Sequence, residues 1–106
     1  MGRFHTVARI GDIPDGEARA FAVAGRMVAV FHADGEYHAI NDTCPHMGAS
    51  LAGGWCENGQ VTCPWHAWRF SIVDGSWLDS PQADIKADSY PVRLAGDDIQ
   101  VELPEE

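Results

Sequence analysis

The chain has 106 residues, and its sixteen acidic side chains against seven basic ones give a formal net charge of −9. That length is expected to form one small domain, which buries roughly 65% of its unfolded surface. Such a negative charge makes nucleic acid and anionic membranes poor partners, and no stretch approaches the ~20 apolar residues of a membrane helix.

Short apolar blocks alternate with turn residues along the chain, and none has the period of an amphipathic helix. Residues 4–8 are predicted as a strand, followed by the loop Asp12-Ile13-Pro14-Asp15-Gly16. Residues 18–23 and 26–32 are predicted to form a hairpin around Ala24-Gly25, and Asp34-Gly35 is a strong hairpin turn into a strand over 37–40. That strand ends at Asn41-Asp42-Thr43, where Asp42 and Asn41 read as loop formers. Gly53-Gly54 and Glu57-Asn58-Gly59 punctuate the next stretch with a second hairpin-like turn. Strands over 60–62 and 68–73 follow, the latter ended by Asp74-Gly75. Two last strands, 90–94 and 99–103, flank an expected turn at Asp97-Asp98. No repeat or linker interrupts residues 1–106, and so many short strands predict an all-β antiparallel sandwich.

Two peptides stand apart from this pattern, Cys44-Pro45-His46 and Cys63-Pro64-Trp65-His66. Together they read Cys-x-His, sixteen intervening residues, then Cys-x-x-His. Thiolates are soft donors that tolerate ferric iron, and neutral imidazoles suit iron or zinc, so Cys44, His46, Cys63 and His66 are candidate metal ligands. The following prolines bias Cys44 and Cys63 toward extended backbone and leave no N–H at Pro45 and Pro64. Gly48 and Ala49 are small enough for the backbone to approach a bound group. Met47, Leu51, Trp65 and Trp68 are candidates for walling it from water.

A structural zinc site is the alternative reading, since zinc also takes Cys₂His₂ sets. Common zinc modules group cysteines first and histidines second, whereas here the order alternates. Box by box, the chain resembles the Rieske-type ferredoxins, and the likeness runs over nearly its whole length. The resemblance implies a [2Fe–2S] cluster, one per chain, with cysteines on one iron and histidines on the other. It also implies a small cluster-binding subdomain, about 42–82, inserted in the sandwich. A proline-containing third loop covers the cluster in that family, and Ser80-Pro81-Gln82 lies where it belongs; an ordinary surface turn is the other reading.

The function implied is that of a soluble one-electron carrier, taking electrons from an NAD(P)H-dependent reductase and passing them to a terminal oxygenase. The runner-up is the Rieske-type small subunit of an NAD(P)H-dependent nitrite reductase, which shares the boxes and the Trp-x-Phe strand, here Trp68-Arg69-Phe70. In the runner-up the chain is fixed to a nitrite reductase large subunit. Residues 1–6 contain no signal-peptide core, and the membrane anchor of the quinol-oxidising relatives is missing, so a cytoplasmic location is expected. The acidic surface is either a generic soluble surface or a steering field toward a basic docking face.

The chain carries no equipment of its own for substrate chemistry. A non-haem iron oxygenase needs two further histidines and a carboxylate, and none of the 40 residues after His66 is His. There is no dinucleotide fingerprint either. Cys56, the third cysteine, reads as a small buried hydrophobe rather than a reactive thiol. His5, His32 and His38 fall in or near strands without a carboxylate at a recognisable spacing. The high-potential relatives place an inter-loop disulfide, a serine and a tyrosine around the cluster. The matching positions here are Ala49 and Trp65, then Trp68, then Phe70, which implies a potential near the bottom of the family range.

Overall fold

The structure, a computed structural model, describes residues 2–43, 50–57, 59–63, 68–79 and 87–104. Among these described residues ten strands run in chain order: β1 (Gly2–Arg9), β2 (Ala18–Val23), β3 (Arg26–Ala33), β4 (Glu36–Asn41), β5 (Trp55–Glu57), β6 (Gln60–Thr62), β7 (Arg69–Ser71), β8 (Ser89–Tyr90), β9 (Val92–Ala95) and β10 (Asp98–Pro104). A short 3-10 turn, Leu51–Gly53, precedes β5. The strands pair antiparallel into three sheets, ordered β1-β10-β9, β2-β3-β4-β8 and β5-β6-β7. No helix among the described residues is long and apolar enough to cross a membrane.

The second sheet is the middle layer, and the sequence of β3 explains why. Successive strand residues point to opposite faces, yet Val28, Ala29, Val30 and Phe31 are all completely buried. Val28 and Val30 join one core with Ala8, Ala39, Ile99, Val101 and Leu103 from the first sheet and β4. Ala29 and Phe31 join the other with Ile40, Leu51, Val61, Cys63, Phe70 and Ile72. A strand covered on both faces loses the alternation of a half-buried strand and reads as a continuous apolar run. The second of these cores lies under the third sheet and includes Cys63.

Turn chemistry sets the register. The β3–β4 turn places Asp34 and Gly35 at φ 54° and 78°, and the β2–β3 turn places Ala24 and Gly25 at φ 50° and 78°. Two consecutive positive φ values match the twist of a two-residue hairpin.

Four local expectations need correction. The strand expected over 68–73 is confined to Arg69–Ser71, because the chain turns there and the Gly75 amide donates to the Ser71 carbonyl. The strand expected over 90–94 is divided at Pro91, which has no N–H for a ladder. The last hairpin turns at Gly96 and Asp97, since Asp98 already pairs with Ala95. Between Gly53-Gly54 and Glu57-Asn58-Gly59, where only turns are expected, Trp55–Glu57 forms β5 and pairs with β6.

Candidate metal centre

Each Cys/His box interrupts the sheets at a point where the flanking backbone is tied together. Before the first box, β4 ends at Asn41, whose side-chain oxygen accepts the Thr43 amide at 2.8 Å, an Asx turn. Thr43 then forms an isolated bridge with Ser50, beyond the box. Between them Asp42 is 5% exposed. Its carboxylate accepts the Ser50 hydroxyl and the Ala52 amide, each at 2.9 Å, and its carbonyl accepts the Leu51 amide at 2.7 Å. The sequence marked Asp42 as a loop former, and the structure makes it the acceptor that joins the two ends of the first box.

The second box is tied by the sheet itself. Thr62 pairs with Arg69 across β6 and β7, and beyond that rung the Cys63 amide donates to the Trp68 carbonyl at 2.7 Å. Val61 and Cys63 are two residues apart and both completely buried, so the β6 register turns Cys63 inward with the apolar core. Cys63 forms no disulfide. Leu51, expected to wall the site, is completely buried in the same core, and Trp68 packs at its margin. Cys44, His46 and His66, with Met47, Gly48, Ala49 and Trp65, lie outside the described residues.

A second set of contacts, invisible in the sequence, follows the second box. The Asp79 carboxylate accepts the Arg69 amide at 2.9 Å, the Arg69 Nε at 2.8 Å and the Trp77 indole N–H at 3.3 Å. Arg69 Nη2 lies 2.7 Å from the same Asp79 Oδ1. Hydrogen bonds from the Arg69 backbone, then from its side chain, hold the Asp79 carboxyl below the usual carboxylate range. Trp77 stacks on Trp68 with centroids 3.8 Å apart and a 10° interplanar angle. Arg69 and Asp79 are ten residues apart in sequence, with no local pattern linking them.

Residues 80–86, including the Ser80-Pro81-Gln82 segment, also lie outside the described residues. The chain on either side is described. Asp79 precedes them, and after them the Ala87 amide donates to the Gly75 carbonyl at 2.8 Å while the Asn41 amide donates to the Asp88 carbonyl at 2.7 Å. The strand before the first box and the hairpin after the second are thus both tied to the chain around 80–86.

The remaining candidates have surroundings of their own. Cys56 is half-buried, and burial pushes its thiol up, which disfavours the reactive thiolate. His32 and His38 do have carboxylate neighbours, Asp15 and Glu36, each at 3.6 Å. His32 also sits 2.7 Å from the Ile13 carbonyl through Nδ1 and stacks on Tyr37. The first pairing joins distant residues, and the second joins residues two apart on one strand face, so neither had a spacing that stood out in the sequence.

Of the candidate donors only Cys63 is described, and its burial at the tied base of the second box suits a thiolate ligand of an iron–sulfur group.

Comparison with known proteins adds direct evidence. Residues 3–91 match the family described as the Rieske [2Fe-2S] domain. The 3-phenylpropionate/cinnamic acid dioxygenase ferredoxin subunit of Escherichia coli strain K12 is 39% identical over 97 residues, covering 91% of this chain and 90% of that protein. The ferredoxin of carbazole 1,9a-dioxygenase from Nocardioides aromaticivorans IC177 superposes with a TM-score of 0.83 at 27% identity, over 92% of this chain and 95% of its own. A Mycobacterium tuberculosis protein provisionally described as an NADH-dependent nitrite reductase small subunit gives a TM-score of 0.89 at 26% identity, over 100% and 99%.

Proposed function

The chain belongs to the Rieske [2Fe-2S] domain family, and on that footing we propose that it is the ferredoxin of a ring-hydroxylating dioxygenase system. It carries a [2Fe–2S] cluster, one per chain. Cys44 and Cys63 hold one iron in this reading and His46 and His66 the other, within a subdomain spanning about 42–82. When bound, the cluster supplies reversible one-electron storage, with the electron residing mainly on the histidine-ligated iron. The chain's own residues supply the setting. Asp42 joins the ends of the first box, the Cys63–Trp68 hydrogen bond closes the second, and Leu51 and Phe70 form a dry floor.

One observation supports the dioxygenase assignment above the others. The dioxygenase ferredoxin subunit is 39% identical across nine-tenths of both chains, so its role transfers more readily than that of a relative alike in fold alone. The protein is then an electron carrier and not itself an enzyme. It receives electrons from an NAD(P)H-dependent reductase in the cytoplasm and passes them to a terminal oxygenase. The second reading, a nitrite reductase small subunit, is favoured by the full-length superposition on the mycobacterial protein. A stable copurifying large subunit would select it.

The test is chemical analysis of protein purified without oxygen. Two irons and two sulfides per chain are expected, with the low-average-g paramagnetic signal of a mixed N/S-ligated cluster after reduction. Replacing Cys44, His46, Cys63 or His66 by Ala should deplete it. One zinc without sulfide overturns the reading.

A further inference from the structure

The Asp79 carboxylate does more than an exposed ion pair ordinarily does. Such pairs join two flexible side chains and contribute little. Here the acid grips the Arg69 backbone amide as well as the guanidinium, and takes the Trp77 indole N–H besides. The Leu78 amide returns a bond to the Arg69 carbonyl at 2.8 Å, and Phe70 bridges to Trp77. Residues 77–79 are thereby laid against the start of β7, the strand that leaves the second box three residues after His66.

We propose that Asp79 is a positioning residue for the second ligand box: it latches the β7 backbone to the chain entering residues 80–86 and so sets how firmly the cluster is held. The proposal rests on the ligand assignment above. The box spans Cys63 to His66, and the Cys63–Trp68 hydrogen bond closes its base. Arg69 is the next residue, and the Asp79 latch fixes that backbone from the other side. Charge-assisted bonds to a backbone amide are directional, so the latch restrains where the box leaves the sheet. Without it, the outgoing strand keeps its pairing with β6, the Leu78–Arg69 and Phe70–Trp77 backbone contacts and the Trp68–Trp77 stack, but loses the side-chain grip on the first residue of β7.

The experiment uses the purified holoprotein and compares Asp79→Ala, Arg69→Leu, the double variant and Asp74→Ala. Asp74 is the control because it is an exposed acid in the same hairpin, its replacement removes the same charge, and it accepts the amide and hydroxyl of Ser76, whereas Asp79 accepts the groups of Arg69 and Trp77. Iron release to a colorimetric chelator is followed by loss of visible absorption, alongside thermal midpoints and midpoint potentials. Asp79→Ala should release iron about tenfold faster, which corresponds to about 1.4 kcal/mol of activation free energy. Arg69→Leu keeps the backbone and indole bonds, so its acceleration should be smaller. The double variant should match Asp79→Ala, because both changes remove the same latch. The potential should shift more in Asp79→Ala than in Asp74→Ala, although the change in charge is identical.

An Asp79→Ala protein that releases iron no faster than Asp74→Ala overturns the latch, even if its melting temperature falls. Should Asp79→Ala not fold, Trp77→Phe and Arg69→Leu carry the same comparison, since each removes part of the latch and leaves the aspartate. A wild-type protein without iron and sulfide overturns the ligand assignment and the latch with it. A cluster-bearing wild type whose variants behave identically overturns the latch alone.

Discussion

The Asp42 carboxylate accepts the Ser50 hydroxyl at 2.9 Å, one of the bonds that join the strand entering the first box to the chain leaving it. The acid is buried and also carries the Ala52 amide. Asp42→Ala leaves these donors without their acceptor and should destabilise the protein by about 2–3 kcal/mol. Ser50→Ala removes one of the bonds and should cost about 1 kcal/mol. Urea midpoints of the two variants give the ordering. Equal losses would mean that the hydroxyl, not the carboxylate, holds the base of the box.

Gly75 makes the sharpest steric prediction. It has φ +78°, and a Cβ added there would lie 1.8 Å from the Ala87 carbonyl oxygen, a contact that backbone cannot escape. Gly75→Ala should therefore destabilise by more than about 3 kcal/mol. Gly96, at φ +62° with open space around it, isolates the conformational part, and Gly96→Ala should cost only about 1 kcal/mol. Similar melting temperatures for the two variants would show that the clash at Gly75 is relieved by an easy shift.

Phe70 bears on the potential. Completely buried beside Cys63 in one core, it has no hydroxyl to offer a cluster sulfur, and neither has Trp68, at the position that the resemblance matches to the serine of the high-potential relatives. Hydrogen bonds to sulfur withdraw electron density and favour reduction, so the midpoint should lie near the bottom of the range of roughly −150 to +300 mV. Phe70→Tyr should raise it where the new hydroxyl reaches the sulfur. A wild-type midpoint in the upper half of that range contradicts this account.

Cys56 should be slow to alkylate. Burial raises its thiol pKa in the folded chain, so near pH 8 iodoacetamide should label it more slowly in native than in urea-unfolded protein. The linkage has a definite sign. A folded pKa above the unfolded one gives a contribution to stability that is full below the unfolded value of about 8.5 and is lost as pH rises through the folded pKa. Cys56→Ala should flatten that alkaline loss while leaving iron and sulfide content unchanged. Depletion of the cluster in this variant would instead make Cys56 a participant in the site.

Most strands were legible because their turns carry distinctive chemistry. Asp34-Gly35 and Ala24-Gly25 each announce a two-residue hairpin, and the strands beside them lie where the pattern placed them. β5 was hidden because Trp55-Cys56-Glu57 is too short to show alternation and follows two glycines. The Pro91 break needed closer attention to the missing amide, which divides what hydropathy alone reads as one strand. At the site, the ligand boxes were plain because their residue types are rare and their spacing specific. Asp42 and Asp79 were not, since an aspartate in a loop looks the same whether it faces solvent or gathers distant amides.

The pairing of β1 with β10 has a consequence for how the chain comes together during synthesis. Thr6 and Gln100 share a side-chain hydrogen bond across 94 positions, so the outer sheet cannot assemble until nearly the whole polypeptide has left the ribosome. Contacts that close such long loops form late. The core that includes Cys63, from Ala29 to Ala87, draws on no residue of β1 or β10 among the described residues. That core is therefore able to gather before the outer wall of the molecule exists.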